Sequence, residues 1–179
     1  GDMTRDLKIY ERLRSEAEEL GNYPVDLLAC VPPSLVYRDS EISFSIPGQV
    51  IHQSGGLVWD ATAVDVREQY PTARDALRIV QYDSCRGLEG WTVINYAFDE
   101  FYEYKYKQRM DAPDELGETF DMKEALAAAF AAQWAMIPMT RAMDTLVINI
   151  SNRSSSLKDV LKAVYEKRRD YIEWVEIDQ

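Results

Sequence analysis

The chain has 179 residues, of which 46% are hydrophobic, enough to bury the core of one domain. Its formal net charge is −11, which argues against a free-standing duplex binder, because phosphate contacts need concentrated Lys and Arg. One local basic patch remains compatible with this charge. No apolar run approaches the length of a membrane span, and the N-terminus lacks the pattern of a signal peptide.

The cysteine and histidine content predicts no metal site. Cys30 and Cys85 lack metal-type spacing, and the single His52 cannot complete a His/Cys site. Two cysteines without a disulfide framework favour a reduced, cytoplasmic context. The first three residues resemble the remnant of a tag. We therefore expect a single domain over residues 1–179 that is a fragment of a longer protein.

Periodicity and turn residues predict strands that alternate with helices. In chain order, the predicted elements are a helix over 4–20, strands over 25–31, 50–52, 77–82 and 91–98, a helix over 122–137, a strand over 145–151, and a last helix capped by 154–156. Gly21 is expected to end the first helix, and Gly55-Gly56 to form a turn. This alternation predicts a three-layer α/β domain with a mostly parallel sheet. The alternation alone does not separate a RecA-like sheet from other doubly wound sheets.

The helix over 122–137 has the clearest apolar stripe in the chain. The residues of this stripe are Met122, Ala125, Leu126, Ala129, Phe130, Trp134 and Ile137. We expect the helix to pack on the sheet through Phe130 and Trp134. Before it, residues 99–121 are polar and rich in Tyr and acids, and their length indicates an insertion. The aromatic and basic residues there could bind single strands, but the interleaved acids favour a packing segment.

Two blocks each join a polar turn or an arginine to an apolar strand. Residues 83–94 read Asp-Ser-Cys-Arg-Gly-Leu-Glu-Gly-Trp-Thr-Val-Ile, and residues 139–148 read Met-Thr-Arg-Ala-Met-Asp-Thr-Leu-Val-Ile. Gly87 permits a tight backbone path, including a positive φ, and the carboxylate of Glu89 can accept hydrogen bonds from sugar hydroxyls. Arg141 lies between a long helix and a strand, where its guanidinium can reach the phosphate of a neighbour.

In this order, the two blocks resemble motifs V and VI of the UvrD/Rep-like superfamily 1 helicases. The resemblance implies the C-terminal RecA-like motor domain, a P-loop NTPase fold that closes over ATP bound to the N-terminal motor domain. It implies that Glu89, on the turn formed at Gly87, lies near the ribose of ATP. It also implies that Ser84, Cys85 and Arg86 face single-stranded DNA or RNA.

The same resemblance gives Arg141 the role of an arginine finger, which offsets charge on the γ-phosphate during hydrolysis. Thr140 would orient this turn through its hydroxyl. ATP and Mg²⁺ would be bound mainly by the N-terminal RecA-like domain of the same protein, because this chain contains no phosphate-loop motif. The resemblance thus predicts an ATP-dependent helicase or translocase in the full-length protein, and no hydrolysis by this chain alone.

The chain departs from the family pattern at several positions. Gln81 and Asp83 stand where the family has Thr and His, and an aspartate facing a phosphate backbone is unfavourable. Pro138 stands where a small residue is usual, and Met143 where Lys is common. These departures leave two alternatives open, which are a degenerate, non-catalytic scaffold or interaction module and an unrelated α/β domain. Taken alone, Arg141 also fits an arginine that caps a helix C-terminus.

Overall fold

The computed structural model describes residues 3–39, 42–113 and 119–176, without the side chains of residues 3–6. Its strands are β1 (Leu27–Val31), β2 (Val36–Arg38), β3 (Ser43–Ser45), β4 (Leu57–Asp60), β5 (Ala76–Gln81), β6 (Gly90–Asn95) and β7 (Ala142–Ile148). Its α-helices are α1 (Met3–Glu19), α2 (Ile46–Gln53), α3 (Val64–Arg67), α4 (Phe98–Met110), α5 (Phe120–Met139) and α6 (Ser156–Lys167).

Five of the strands form one parallel sheet in the order β4-β5-β1-β6-β7, while β2 and β3 pair as a separate antiparallel hairpin. Strand β1 is central, and all of its residues are buried, as expected for a strand covered by helices on both faces. Its Leu28 is level with Arg78 of β5 and with Val93 of β6. The predicted three-layer α/β fold of the RecA-like kind is confirmed, with a sheet that is parallel throughout.

The alternation of side chains along β1 divides the core between the two faces of the sheet. On one face, Leu27, Ala29 and Val31 belong to the cluster that contains Tyr10 of α1 and Ile51 of α2. On the other face, the cluster contains Leu28 and Cys30 of β1, Phe101 of α4 and Ala135 of α5. The candidate functional residues described below lie on this second face. In the described part of the chain, no helix is both long and apolar enough to cross a bilayer.

The predicted elements are present with shifted ends, except for the strand predicted at 50–52, which is wrong. Those residues lie in α2, which begins after Ser45, whose Oγ accepts a hydrogen bond from Gly48 N at 3.1 Å. A capping serine followed by a proline in the first turn favours a helix start, and this outweighs a short apolar run. Gly21 and Gly55 both have positive φ, consistent with the predicted helix end and turn.

The predicted packing face of α5 is partly wrong. The helix buries a stripe of small residues at Ala127, Ala131 and Ala135, which lets it approach α4 and the sheet closely. Met122 and Leu126 of the predicted stripe are exposed. Trp134 packs against the core as expected, but Phe130 is only half-buried and contacts Trp134, with ring centroids 6.1 Å apart.

The segment predicted as an insertion, residues 99–121, contributes a core helix. Most of it belongs to α4, which buries Phe98, Phe101 and Lys105. These residues face α5 and the second face of the sheet, so the helix is part of the layer that covers the sheet. Residues 114–118 of the predicted insertion lie outside the described residues.

The turn between β6 and α4 contains a strained residue. Ala97 adopts a left-handed conformation with φ 45° and ψ 50°, which costs energy for any residue with a Cβ. Its N–H donates to Asn149 Oδ1 at 3.0 Å, and the buried Asp99 accepts from Ser151 N at 2.9 Å. These bonds tie the start of α4 to the residues that follow β7, and they hold Ala97 in this conformation.

Ala97→Gly is expected to raise the free energy of unfolding by about 0.5–1 kcal/mol, because glycine adopts the left-handed conformation without a Cβ penalty. The matched control is Ala129→Gly, at an exposed position inside α5, which should lower the free energy of unfolding by about 1 kcal/mol. Urea denaturation measures both changes. Because the Ala97 methyl is buried, its removal offsets part of this gain, and a loss of stability as large as that of Ala129→Gly would argue against strain at position 97.

Candidate functional site

Residues 82–89, here called the crossover loop, connect β5 to β6 over the second face of the sheet. Strand β1 lies between these two strands, so the chain must pass over β1 to reach the start of β6. Parallel strands usually need about a dozen residues or more for such a connection. The crossover loop is shorter, and it therefore lies directly on the sheet without a full helix, containing only a short 3₁₀ turn at Tyr82–Ser84.

Two buried side chains anchor the crossover loop. Tyr82 stacks on Phe101 of α4 with ring centroids 4.2 Å apart, and its hydroxyl donates to Tyr96 O at 2.8 Å. Cys85 is completely buried, and its thiol is hydrogen-bonded to that of Cys30. Because these side chains point towards the sheet, the polar residues between and after them are left at the surface.

Hydrogen bonding and charge shift the pKa values of the two thiols in opposite directions. The bond with Cys30 is the largest influence that lowers the pKa of Cys85, and the positive charge of Arg141 lowers it further, against the effect of burial. The same hydrogen bond, followed by burial, raises the pKa of Cys30 well above its ordinary value.

Two glycines, one in the crossover loop and one directly after it at the start of β6, determine the path of the backbone. Gly87 has φ +83°, as the sequence allowed, and a Cβ at this position would meet no atom within 4 Å. At Gly90, by contrast, a Cβ would lie 2.9 Å from Leu28 Cβ and 3.0 Å from Thr92 O. Backbone conformation therefore explains the glycine at position 87, and close packing against β1 explains the glycine at position 90.

The second motif lies beside the first. Gly90 N donates to Arg141 O at 3.1 Å, and Gly90 is level with Ala142 in the β6–β7 pairing. The end of the crossover loop and the turn that joins α5 to β7 are thus neighbours at the edge of the sheet where β6 and β7 begin. We call this pair of segments, residues 86–90 and 140–142, the motif junction.

The side chain of Arg141 caps its own helix. Its Nε donates to Ile137 O at 3.1 Å, and its Nη2 donates to Thr140 Oγ1 at 3.0 Å. Thr140 in turn donates to Ile137 O at 3.0 Å. The capping role considered for Arg141 from the sequence is therefore present in this conformation, and the hydroxyl of Thr140 is a hydrogen-bond acceptor for the guanidinium.

The other predicted site residues differ in exposure. Glu89 is exposed, and its backbone carbonyl accepts from Arg78 Nη2 at 2.7 Å. Arg86 is exposed and Ser84 is half-buried. Cys85, predicted to face single-stranded nucleic acid, instead points its thiol into the core because β1 presents Cys30 as its partner. Of the three residues predicted to face single-stranded nucleic acid, Ser84 and Arg86 therefore reach the surface.

Two residues at this site were missed from the sequence. Arg78 of β5 supports the backbone of Glu89, and burial lowers its pKa. Lys105 of α4 forms an ion pair with Asp83 of the crossover loop, with Nζ 2.7 Å from Oδ1. A single arginine in a strand resembles any solvated cation. Lys105 belongs to the aromatic and basic stretch within residues 99–121, but the sequence does not show that it is buried or that it pairs with Asp83.

Comparison of the chain with protein-family models, curated proteins and solved structures finds no match. Among the residues that the structure describes, no group of three or more His, Cys, Asp or Glu side chains could hold a metal ion.

Gly87→Ala is expected to lower the free energy of unfolding by about 1 kcal/mol, because the left-handed conformation disfavours a Cβ even in open space. Gly87→Asn is the matched control and should cost less, since asparagine enters this conformation more readily. Chemical denaturation of both variants gives the comparison. Equal stability of Gly87→Ala and the parent chain would contradict the positive φ.

Proposed function

We propose that this chain is the C-terminal RecA-like motor domain of a UvrD-like, ATP-dependent helicase or translocase. The main support is the hydrogen bond from Gly90 to Arg141 O, which brings the two motif-like blocks together on one parallel sheet. In this proposal, the motif junction forms one side of an ATP site. The other side, with the phosphate loop and most contacts to Mg²⁺, belongs to the N-terminal RecA-like domain of the same protein.

The exposed parts of the motif junction suit contacts to a nucleotide. Glu89 presents a carboxylate that can accept hydrogen bonds from ribose hydroxyls. Gly87 leaves the backbone open to close approach, because no atom lies within 4 Å of its missing Cβ. Both residues follow the two buried anchors of the crossover loop, which fix the backbone from which the carboxylate extends.

Arg141 would act as the arginine finger after exchanging its present partners. In this structure its guanidinium donates to two neutral oxygens, those of Ile137 and Thr140. Hydrogen bonds between a guanidinium and a phosphate are charge-assisted and roughly twice as strong as neutral ones. A γ-phosphate brought within reach by the N-terminal domain would therefore draw the Arg141 guanidinium away from the helix end. Beside the γ-phosphate, its positive charge would stabilise the transition state of hydrolysis.

The surface of the crossover loop supports a role in binding single-stranded DNA or RNA. The guanidinium of Arg86 lies 5.8 Å from the ring centroid of Trp134, and such pairs of cation and aromatic ring bind phosphates and stack on bases. The net charge of −11 implies that binding by this chain alone is weak and sensitive to salt. A motor of this kind would operate in the cytoplasm.

A non-catalytic, helicase-like scaffold is the second candidate. The observation that favours it is the state of Arg141, whose guanidinium already has protein partners at the end of α5. In a degenerate motor, the arginine would serve this capping role permanently. The two functions differ in whether Arg141 affects turnover or only stability.

Arg141→Ala is expected to lower single-turnover ATP hydrolysis about 10³-fold in the protein that contains both motor domains, with little change in nucleotide affinity. Arg141→Lys should restore little of this activity, because an ammonium cannot reproduce the planar fork. Loss of the cap should cost about 1 kcal/mol or less of stability. Rapid-quench kinetics and equilibrium nucleotide binding provide the measurements.

Two controls accompany this experiment. Glu89→Ala should act mainly through nucleotide affinity, and this chain by itself should show no magnesium-dependent hydrolysis. If Arg141→Ala hydrolyses ATP at the rate of an active parent protein, the arginine-finger role is wrong. If the parent two-domain protein is itself inactive, the scaffold function replaces the motor function.

A further inference from the structure

Lys105 is a buried lysine at the centre of α4. Its side chain is only 4% exposed, and burial of a lone ammonium group is costly. Three aromatic rings surround it, with Nζ 3.9 Å from the ring centroid of Trp134, 5.4 Å from that of Tyr104 and 5.6 Å from that of Phe101. Such rings attract a cation through their electron-rich faces, and they account for part of the stabilisation that Lys105 needs.

The charge partner of Lys105 lies in the crossover loop. Lys105 Nζ is 2.7 Å from Asp83 Oδ1, and the side chain of Asp83 is 45% exposed. Asp83 lies between the two buried anchors of the loop, Tyr82 and Cys85. The ion pair therefore fastens the loop to α4 at the point where its backbone turns back across the sheet.

Trp134 connects this ion pair to a second loop residue. The ring lies close to Lys105 Nζ and also 5.8 Å from the guanidinium carbon of Arg86. Asp83 and Arg86 are thus both in contact with the lysine–tryptophan pair that α4 and α5 present. The orientation of Asp83 and Arg86 therefore depends on the lysine–tryptophan pair as well as on the packing of the loop against the sheet.

We infer that Lys105 is a positioning residue. Its contacts with Asp83 and Trp134 hold the crossover loop so that Ser84 and Arg86 face single-stranded nucleic acid. The positioning follows from the contacts themselves, whereas its effect on strand-dependent turnover rests on the proposed function. This assignment also accounts for an aspartate on a surface proposed to meet phosphates. The ammonium of Lys105 compensates the carboxylate, so Asp83 does not present an unpaired negative charge.

The alkylation rate of Cys85 measures how firmly the loop is held, because its thiol becomes accessible only when the loop opens. In a Cys30→Ala background, Cys85 is the single thiol of the chain. Lys105→Met in this background should speed alkylation by iodoacetamide about tenfold, since it removes the charge while keeping an unbranched side chain. Lys107→Met, at an exposed position of the same helix, should leave the rate unchanged.

A second variant covers the case in which Lys105→Met does not fold. Asp83→Asn removes the partner charge from a partly exposed position, and it should also speed alkylation. In the folded double variant, the effects of Asp83→Asn and Lys105→Met should be less than additive, because both break one ion pair. Alkylation at the parent rate in either folded single variant would overturn the assignment.

Turnover in the protein that contains both motor domains separates this inference from the proposed function. With a single-stranded oligonucleotide as the probe, Lys105→Met should raise the oligonucleotide concentration for half-maximal ATP turnover about tenfold. Lys107→Met should leave this concentration unchanged. Faster alkylation together with an inactive parent protein would support positioning and refute the motor function. An active parent protein whose Lys105→Met variant keeps the parent strand dependence would refute the positioning role in turnover.

Discussion

The close fit of the crossover loop on β1 determines the geometry of everything around it. A short connection between two strands that flank a third has to lie against the sheet. The space between the connection and the sheet then accommodates only small side chains. Cys85 occupies this space above Cys30, and Gly90 approaches Leu28 so closely that a Cβ would collide. Because the inner side of the loop is fixed in this way, its polar residues are directed outwards in a defined order.

Helices α4 and α5 provide contacts to the crossover loop and the motif junction that the sheet alone does not provide. Helix α5 approaches closely through its alanine stripe and brings Trp134 over Lys105, while α4 supplies Phe101 beneath the ring of Tyr82. The turn after α5 then places Arg141 O where Gly90 can donate to it. The candidate site is therefore assembled from segments that are distant in sequence, and each is held by core packing as well as by its own hydrogen bonds.

The fold class could be predicted from the sequence because apolar periodicity and turn residues report directly on local structure. The run at 25–31 indicated a buried strand, and Gly87 indicated an unusual turn. Helix α2 was not predicted because its start depends on the cap formed by Ser45. The short apolar run at 50–52 instead resembles a strand. The buried face of α5 differs from the predicted stripe because its alanines, although less hydrophobic than the large apolar residues, permit the closest packing between helices.

The candidate site could be predicted only in part. The two blocks were identified from the residue types, and the structure places them side by side. The sequence could not decide between the capping and phosphate-binding roles of Arg141, because both need an arginine at the end of a helix. Nor could it identify Lys105, since its pairing with Asp83 and its contact with Trp134 depend on how α4 and α5 pack together.

The sharpest test is a crystal structure of the proposed full-length protein, with both of the proposed motor domains, bound to Mg-ADP and aluminium fluoride. In this complex, the guanidinium of Arg141 should leave Ile137 O and Thr140 Oγ1 and donate to the fluoride ligands that mimic the γ-phosphate. The carboxylate of Glu89 should also accept a hydrogen bond from the ribose. A complex in which Arg141 still caps α5 and the nucleotide lies away from the motif junction would contradict the account.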